Sequence, residues 1–528
     1  MRETRSSPQC VGCGHADGTR SVKPKPAISK RASLMLISVA ISAAVPAHAQ
    51  AAASLQEPVR KYVAVSEPRV ALRHVRVIDG TGAPPAEDQV LIIADGRIAS
   101  VGPDRRERIP KGVKVLDLEG RTVVPGLVMM HEHLVYPTDR SADAERMYPS
   151  QAITFPRLYL AAGITTMRTA GTAEPMTDLN LKRDIESGKV VGPDIDVTSS
   201  WMDATPPIIL QETPIRDPAD ARRQVQFWSA EGVTSFKVYM YLTREPMAAL
   251  IDEAHRLGHK VAGHLCAVTA REAAELGIDS LEHGLIVFTD FVPGKKVGEC
   301  PDPETLDKAT TGLDVRSPPV RDLIRELVSR RVTVDSTLAV FETDAKGRPP
   351  LANGLLEMLT PEAQVSYLRR RAHIADDPDN TGTILLAKEM EFEREFVEMG
   401  GQLLAGTDPT GYGGVIAGFG NWRELKLLNE AGFSAIEVFR IATMNGARFL
   451  GREDRIGSIA PGKQADLVVI RGNPVVKMTD MEDVELVFRQ GVGYDSAKLV
   501  ASARGLVGSS RDNCLSTLRL SSYFPRWV

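Results

Sequence analysis

Between residues 121 and about 450, short apolar runs alternate with amphipathic ones, and that rhythm restricts the chain to very few architectures. Eight runs read as strands, at 123–130, 164–169, 195–199, 235–240, 260–264, 280–283, 332–337 and 402–405. Stretches with helical spacing lie between most of them, among them 219–232, 244–258 and 268–277. Strand–helix alternation predicts an α/β protein with a parallel sheet, and eight repeats predict a (β/α)8 barrel over 121–452. In that fold the chemistry gathers at the C-terminal ends of the strands. Two connections, 284–318 and 343–398, are too long for plain turns and are expected to cover a substrate.

The flanks differ. Residues 62–120 alternate apolar and polar in short runs divided by turns such as Asp79-Gly80-Thr81-Gly82, and similar runs return over 453–500. Together they predict a small β-sandwich domain built from N- and C-terminal segments, with the barrel inserted in it. Residues 508–528 show no period and read as an irregular tail. The 528 residues are 43% hydrophobic and 25% charged, with a formal net charge of −4. That balance offers no basic stripe for nucleic acid, and no run of eighteen apolar residues proposes a membrane span. The expected partner is a small-molecule substrate, taken by a homo-oligomer.

The first residues carry an export pattern. Lys30-Arg31 precede an apolar stretch from Leu34 to Val45, and Ala47-His48-Ala49 has the small-x-small form of a cleavage site. Residues 1–49 therefore read as a signal peptide cut after Ala49, which predicts a periplasmic or secreted protein. The stretch before Leu34 is long for such a signal, and Val22 is a plausible internal start. Cleavage would remove Cys10 and Cys13 and leave Cys266, Cys300 and Cys514, which imply no disulfide framework. Cys266 reads as a small buried thiol, and a Cys300–Cys514 bridge is one conceivable pairing.

Chemistry-bearing residues fall at the strand ends. His131-Glu132-His133 close the first strand, and period-two alternation puts both imidazoles on one face with Glu132 on the other. Lys237 closes the fourth strand, His264 the fifth and His283 the sixth, while Asp408 lies just past the eighth. Each follows an apolar run that buries its approach. Imidazole nitrogens and a carboxylate converging at one rim are donors that suit a divalent metal. Tyr239, on the same strand face as Lys237, Tyr241 and Arg168 are candidate substrate contacts; core packing is the alternative for Tyr239, and a structural salt bridge is the preferred reading of Arg168. The Glu-rich run 389–398 reads as one solvated helix face.

In order and spacing this set resembles the amidohydrolase superfamily. The likeness extends to Pro125-Gly126-Leu127, Glu282-His283-Gly284 and the run Ile459-Ala460-Pro461-Gly462-Lys463-Gln464-Ala465-Asp466-Leu467, and is nearest the imidazolonepropionase-like and metal-dependent dipeptidase-like branches. The resemblance implies two Zn2+ ions per subunit bridged by a carboxylated Lys237, although other divalent metals could serve. His131, His133 and Asp408 would hold one ion, and His264 and His283 the other. It implies hydrolysis of a C–N bond, amide or peptide-like, by a metal-bridging hydroxide, with Asp408 as proton shuttle. Two rivals stay open: a mononuclear deaminase or cyclic-imide hydrolase, and a metal-free binding or scaffold protein on the same fold.

Overall fold

A computed structural model describes residues 55–137, 148–207, 209, 211–350 and 354–508. The expected signal peptide, Cys10, Cys13, Cys514 and all but the first residue of the expected tail lie outside the described residues. Among the described residues no helix is long and apolar enough to cross a membrane.

The two β-rich ends of the chain meet in one sheet. Nine strands take part: Val63–Val65, Val492–Asp495, Val484–Arg489, Leu467–Arg471, Arg121–Pro125, Arg69–Val77, Ala86–Ala94 and Arg97–Pro103 in path order, with Lys114–Asp117 alongside Arg69–Val77. The junction is Arg121–Pro125 against Leu467–Arg471, antiparallel, with Val124 opposite Val468. Val70, Leu72, Val75, Leu91, Val123, Leu467 and Phe488 bury one face of it as a separate core. A sandwich of two sheets was expected here; the strands instead form a single hydrogen-bonded path.

The middle of the chain is parallel. Leu127–Glu132, Ile164–Thr169 and Asp194–Asp196 pair in one sheet. Thr198–Asp203, Ser235–Val238, Lys260–Gly263, Ser280–Glu282, Thr333–Ser336 and Leu403–Ala405 pair in order in another, whose far edge is the short Thr213–Pro214. Only Val197 separates the last strand of the first sheet from Thr198–Asp203. At the other end the backbone N–H groups of Thr407 and Asp408 both donate to the His131 carbonyl at 3.0 Å.

Helix ends set the strand starts. Asp217 caps Pro218–Glu231 by accepting from the Asp220 N–H, and Thr269 with Glu272 forms a capping box on Ala270–Leu276. Gly232, Gly258 and Gly277, at φ of 108°, 80° and 89°, terminate successive helices in the left-handed conformation that glycine adopts without Cβ strain. Each turns the chain into the strand whose end carries Lys237, His264 or His283.

Three further expectations need correction. The first strand, expected at 123–130, is two strands in two sheets. Gly126 divides them, its N–H bonds to the Asp466 carbonyl at 2.8 Å, and a Cβ there would sit 2.0 Å from Thr165 Oγ1. One apolar run thus serves both cores, which a hydrophobicity pattern cannot separate. The Glu-rich run is not a solvated face: Glu389, Glu393 and Glu395 are buried in the helix Gly382–Glu398. Glu389 accepts from the Ile286 N–H at 2.9 Å and Glu395 from Arg321 at 2.7 Å, so partners on neighbouring elements permit the burial of these two. Finally, Cys266 is not a free thiol but is disulfide-bonded to Cys300, tying the turn after the fifth strand to the 284–318 segment. A cross-link closing a loop of this length typically stabilises by about 3–4 kcal/mol through the unfolded chain.

Candidate metal centre

All six residues expected to act as ligands line one cavity of 180 Å³: His131, His133, Lys237, His264, His283 and Asp408. They arrive from strands distant in sequence, and the parallel register places each at the same end of its sheet. His131 and His133 share a face as alternation requires. Glu132 points away, into a buried knot where it accepts from Thr407 at 2.6 Å and Asn421 at 2.7 Å. Burial pushes its carboxyl up to about 8, against the pull of those hydrogen bonds.

Asp408 stands at the centre of the donor set. Its Oδ1 lies 3.1 Å from His133 Nε2 and 3.8 Å from His131 Nε2, and its Oδ2 lies 3.8 Å from His283 Nε2. The ring centroids of His264 and His283 are 4.5 Å apart, and those of His131 and His283 are 4.7 Å apart. Ligand atoms of His131, His133 and Asp408 all fall within 4.8 Å of one another, close enough to share one ion. Two of the residues are held in unusual backbone: His283 at φ 71° and Asp408 at φ 46°. Left-handed conformations cost a non-glycine residue on the order of 1–2 kcal/mol and collect where function fixes a side chain.

The electrostatics favour cation binding. Burial first, and the Lys237 charge second, hold His131 well below the ordinary imidazole value. Burial and the neighbouring His283 do the same to His264, and burial takes His283 to about 3. These imidazoles are therefore neutral, the form that offers a lone pair to a metal. Burial alone would raise Asp408, but the hydrogen bond and charge of His133, with His283 and Lys237, outweigh it and keep the carboxyl ionised. For Lys237, burial lowers the amine from 10.5 to about 7, with Asp408 opposing.

The wall beside the donors is aromatic: Tyr148, Trp201, Tyr239 and Phe341 line the cavity with Ile209. Trp201 packs 5.7 Å from the His133 ring and 6.3 Å from Tyr239. Tyr239, the first of the three candidate substrate contacts, is thus in place. The structure keeps the other two out. Tyr241 follows the turn after the fourth strand, is 37% exposed and does not line the cavity. Arg168 is 1% exposed inside the sheet, donating to the Met130 carbonyl at 2.7 Å and Asp335 at 2.9 Å, which makes it a structural cation.

Sequence reading missed Glu282. In an extended strand it would face away from His283, but the left-handed turn at His283 breaks the alternation and both side chains meet the interior. Its oxygens reach Lys237, Arg168 and His131. A carboxylate directly before a rim histidine was the available signal.

Residues 345–493 match the model of the amidohydrolase family. That match covers less than a third of the chain. An imidazolonepropionase from Stenotrophomonas maltophilia is 36% identical over 104 residues, 19% of this chain and 25% of the relative. The match therefore spans about a quarter of that relative's length. Among solved structures, a bottromycin amidohydrolase superposes with a TM-score of 0.63 at 23% identity, covering 86% of this chain and 96% of that one. A Xaa-Pro dipeptidase with bound methionine gives 0.60 at 21% identity, covering 81% and 100%. At these identities the likeness is one of fold.

Within the candidate metal centre the close approach of Gly406 to the first strand has a measurable consequence. A Cβ at Gly406 would lie 2.2 Å from His131 Cβ and 2.7 Å from its backbone nitrogen. Gly406→Ala should destabilise the chain by about 1–3 kcal/mol, the usual cost of overpacking, and displace His131. Thermal unfolding and metal retention together check this; an unchanged melting temperature would show that the two segments part freely.

Proposed function

We propose that this chain is an exported, metal-dependent hydrolase that cleaves a C–N bond, amide or peptide-like, in a small molecule. The observation that carries the reading is the gathering of His131, His133, Lys237, His264, His283 and Asp408 around one buried cavity. The family match over 345–493 and the similarity to an imidazolonepropionase support it. The parallel strands, in this reading, form a closed (β/α)8 barrel inserted in the small β domain. The backbone bonds from Thr407 and Asp408 to His131 support closure.

The residues fit a metal site: nitrogen and oxygen donors converge, His131, His264 and His283 are neutral, and His131 Nδ1 is buried without a hydrogen-bond partner among the described residues. His131, His133 and Asp408 would hold one ion and His264 with His283 a second, with carboxylated Lys237 between them; a set of this chemistry suits Zn2+. Bound zinc supplies Lewis-acid polarisation of a carbonyl and brings the pKa of water toward neutrality. Asp408 takes the proton of the attacking water and passes it to the leaving nitrogen. Tyr239 stands where its hydroxyl can donate to a substrate carbonyl oxygen, and Trp201, Tyr148 and Phe341 exclude bulk water. A second cavity of 410 Å³ shares Phe341 and Asp344 with the first and is lined by residues of the two long connections, including Asp307, Asp377 and Thr381. It offers room for the remainder of a substrate. Export rests on the N-terminal pattern, and the Cys266–Cys300 bridge is in keeping with an oxidising compartment.

A one-metal deaminase is the second reading. The compact His131–His133–Asp408 group favours it, as does 31% identity over 104 residues to a 5-methylthioadenosine/S-adenosylhomocysteine deaminase from Teredinibacter turnerae. Assay of the zinc-loaded chain against dipeptides, N-acyl amino acids, lactones and cyclic amides tests the proposal. Release of an amine from an open amide is the expected result. Turnover of lactones alone, or of no compound in the panel, would overturn C–N hydrolysis.

A further inference from the structure

A histidine that gives Nε2 to a metal ion ordinarily donates its Nδ1–H to an acceptor behind it, which fixes the tautomer and the ring orientation. His133 Nδ1 has such a partner in the Gly171 carbonyl at 2.9 Å, and His283 Nδ1 has one in Thr337 Oγ1 at 2.8 Å. His131 Nδ1 is buried and has none among the described residues. Facing it is Glu282, whose Oε1 is 3.9 Å away. Glu282 is fully buried and aimed into the interior, and neither oxygen accepts a hydrogen bond of good geometry, although Oε2 touches Lys237 Nζ.

We propose that Glu282 is a positioning residue that holds two side chains of the metal centre at once. Its Oε1 accepts from His131 Nδ1–H, leaving Nε2 to face Asp408, and its Oε2 accepts from the Lys237 side-chain nitrogen. The inference deepens the metal-centre reading above and rests on it. A lysine carbamate keeps one N–H, so the same oxygen serves Lys237 before and after carboxylation. Closing 3.9 Å to hydrogen-bond length needs about 1 Å of side-chain movement, within reach of small rotations about the Glu282 torsions. The charge is balanced from behind: Arg168 Nη2 lies 3.5 Å from Glu282 Oε1 and 2.9 Å from Asp335 Oδ2, and its Nε is fixed on the Met130 carbonyl at 2.7 Å. Glu282 thus links the first, second, fourth and sixth strands from below the cavity, without facing the substrate space.

The test uses the full chain as wild type, Glu282→Leu and Glu282→Gln. Leucine removes both acceptors, and glutamine restores one. Zinc affinity, measured by competition with a chromophoric chelator, should fall about 10–100-fold in the leucine variant and less in the glutamine variant. The visible spectrum of the cobalt(II)-loaded protein should shift in the same order, a readout of ligand geometry that lost packing alone would not move. Affinity and spectrum unchanged in both variants would overturn the role of Glu282, whereas a wild type that binds neither ion would overturn the metal-centre reading itself. Should neither variant fold, a crystal structure of the zinc-loaded wild type decides: His131 Nδ1 within about 3.2 Å of a Glu282 oxygen supports the proposal, and a separation beyond about 3.5 Å overturns it.

Discussion

Replacing Lys237 with alanine should strip metal from the chain and lower turnover by more than the roughly 10–100-fold that outer-shell changes produce. The reason is positional. Lys237 is 1% exposed at the end of an apolar strand, among His131, His264, His283 and Asp408, where a permanent ammonium would repel cations. A buried amine with its pKa drawn down to about 7 has a substantial neutral fraction at physiological pH, and only the neutral form can add carbon dioxide. The alanine variant leaves space where the carbamate would sit, so acetate or propionate should restore part of the metal content and part of the rate. Elemental analysis and turnover with and without the added carboxylate check this. A variant that keeps the full metal content of the wild type would remove Lys237 from its bridging role.

Asp408→Asn should leave the fold intact and lower turnover on the order of 10²–10⁴-fold, the range over which a positioned acid–base group acts. Asparagine preserves the shape and can still accept one hydrogen bond, so the φ of 46° and the backbone bond to His131 have no reason to change. What it loses is the negative charge that His133, His283 and Lys237 hold in the ionised state, and with it the capacity to carry a proton. Circular dichroism and thermal unfolding should match the wild type while the rate collapses. Rates near wild type would assign the proton transfer to another group.

Much of this was legible in the residues, and the misses have physical causes. The parallel strands follow from apolar runs separated by helical spacing, and the six donors from polar residues that end such runs. The division at Gly126 was not legible, because both halves of the run are apolar and only tertiary contact with Thr165 and Asp466 separates them. For Arg168 the salt-bridge reading holds, but its partner was not legible, because Asp335 lies more than 160 residues away and meets it only in the folded interior. Glu282 was invisible as a partner of the centre because strand alternation assigns it to the wrong face, and the turn at His283 that reverses this is a backbone property. Burial of Glu389 and Glu393 depends likewise on elements that pack over them, which no local charge pattern reports.

The most direct measurement is the metal content of the full chain after loading with zinc and bicarbonate and removal of loose ions. Six side chains meeting at one cavity should retain about two zinc ions per chain, released together by a strong chelator. Retention of a single ion would contradict the bridged pair, and a chain that held none would contradict the metal centre altogether.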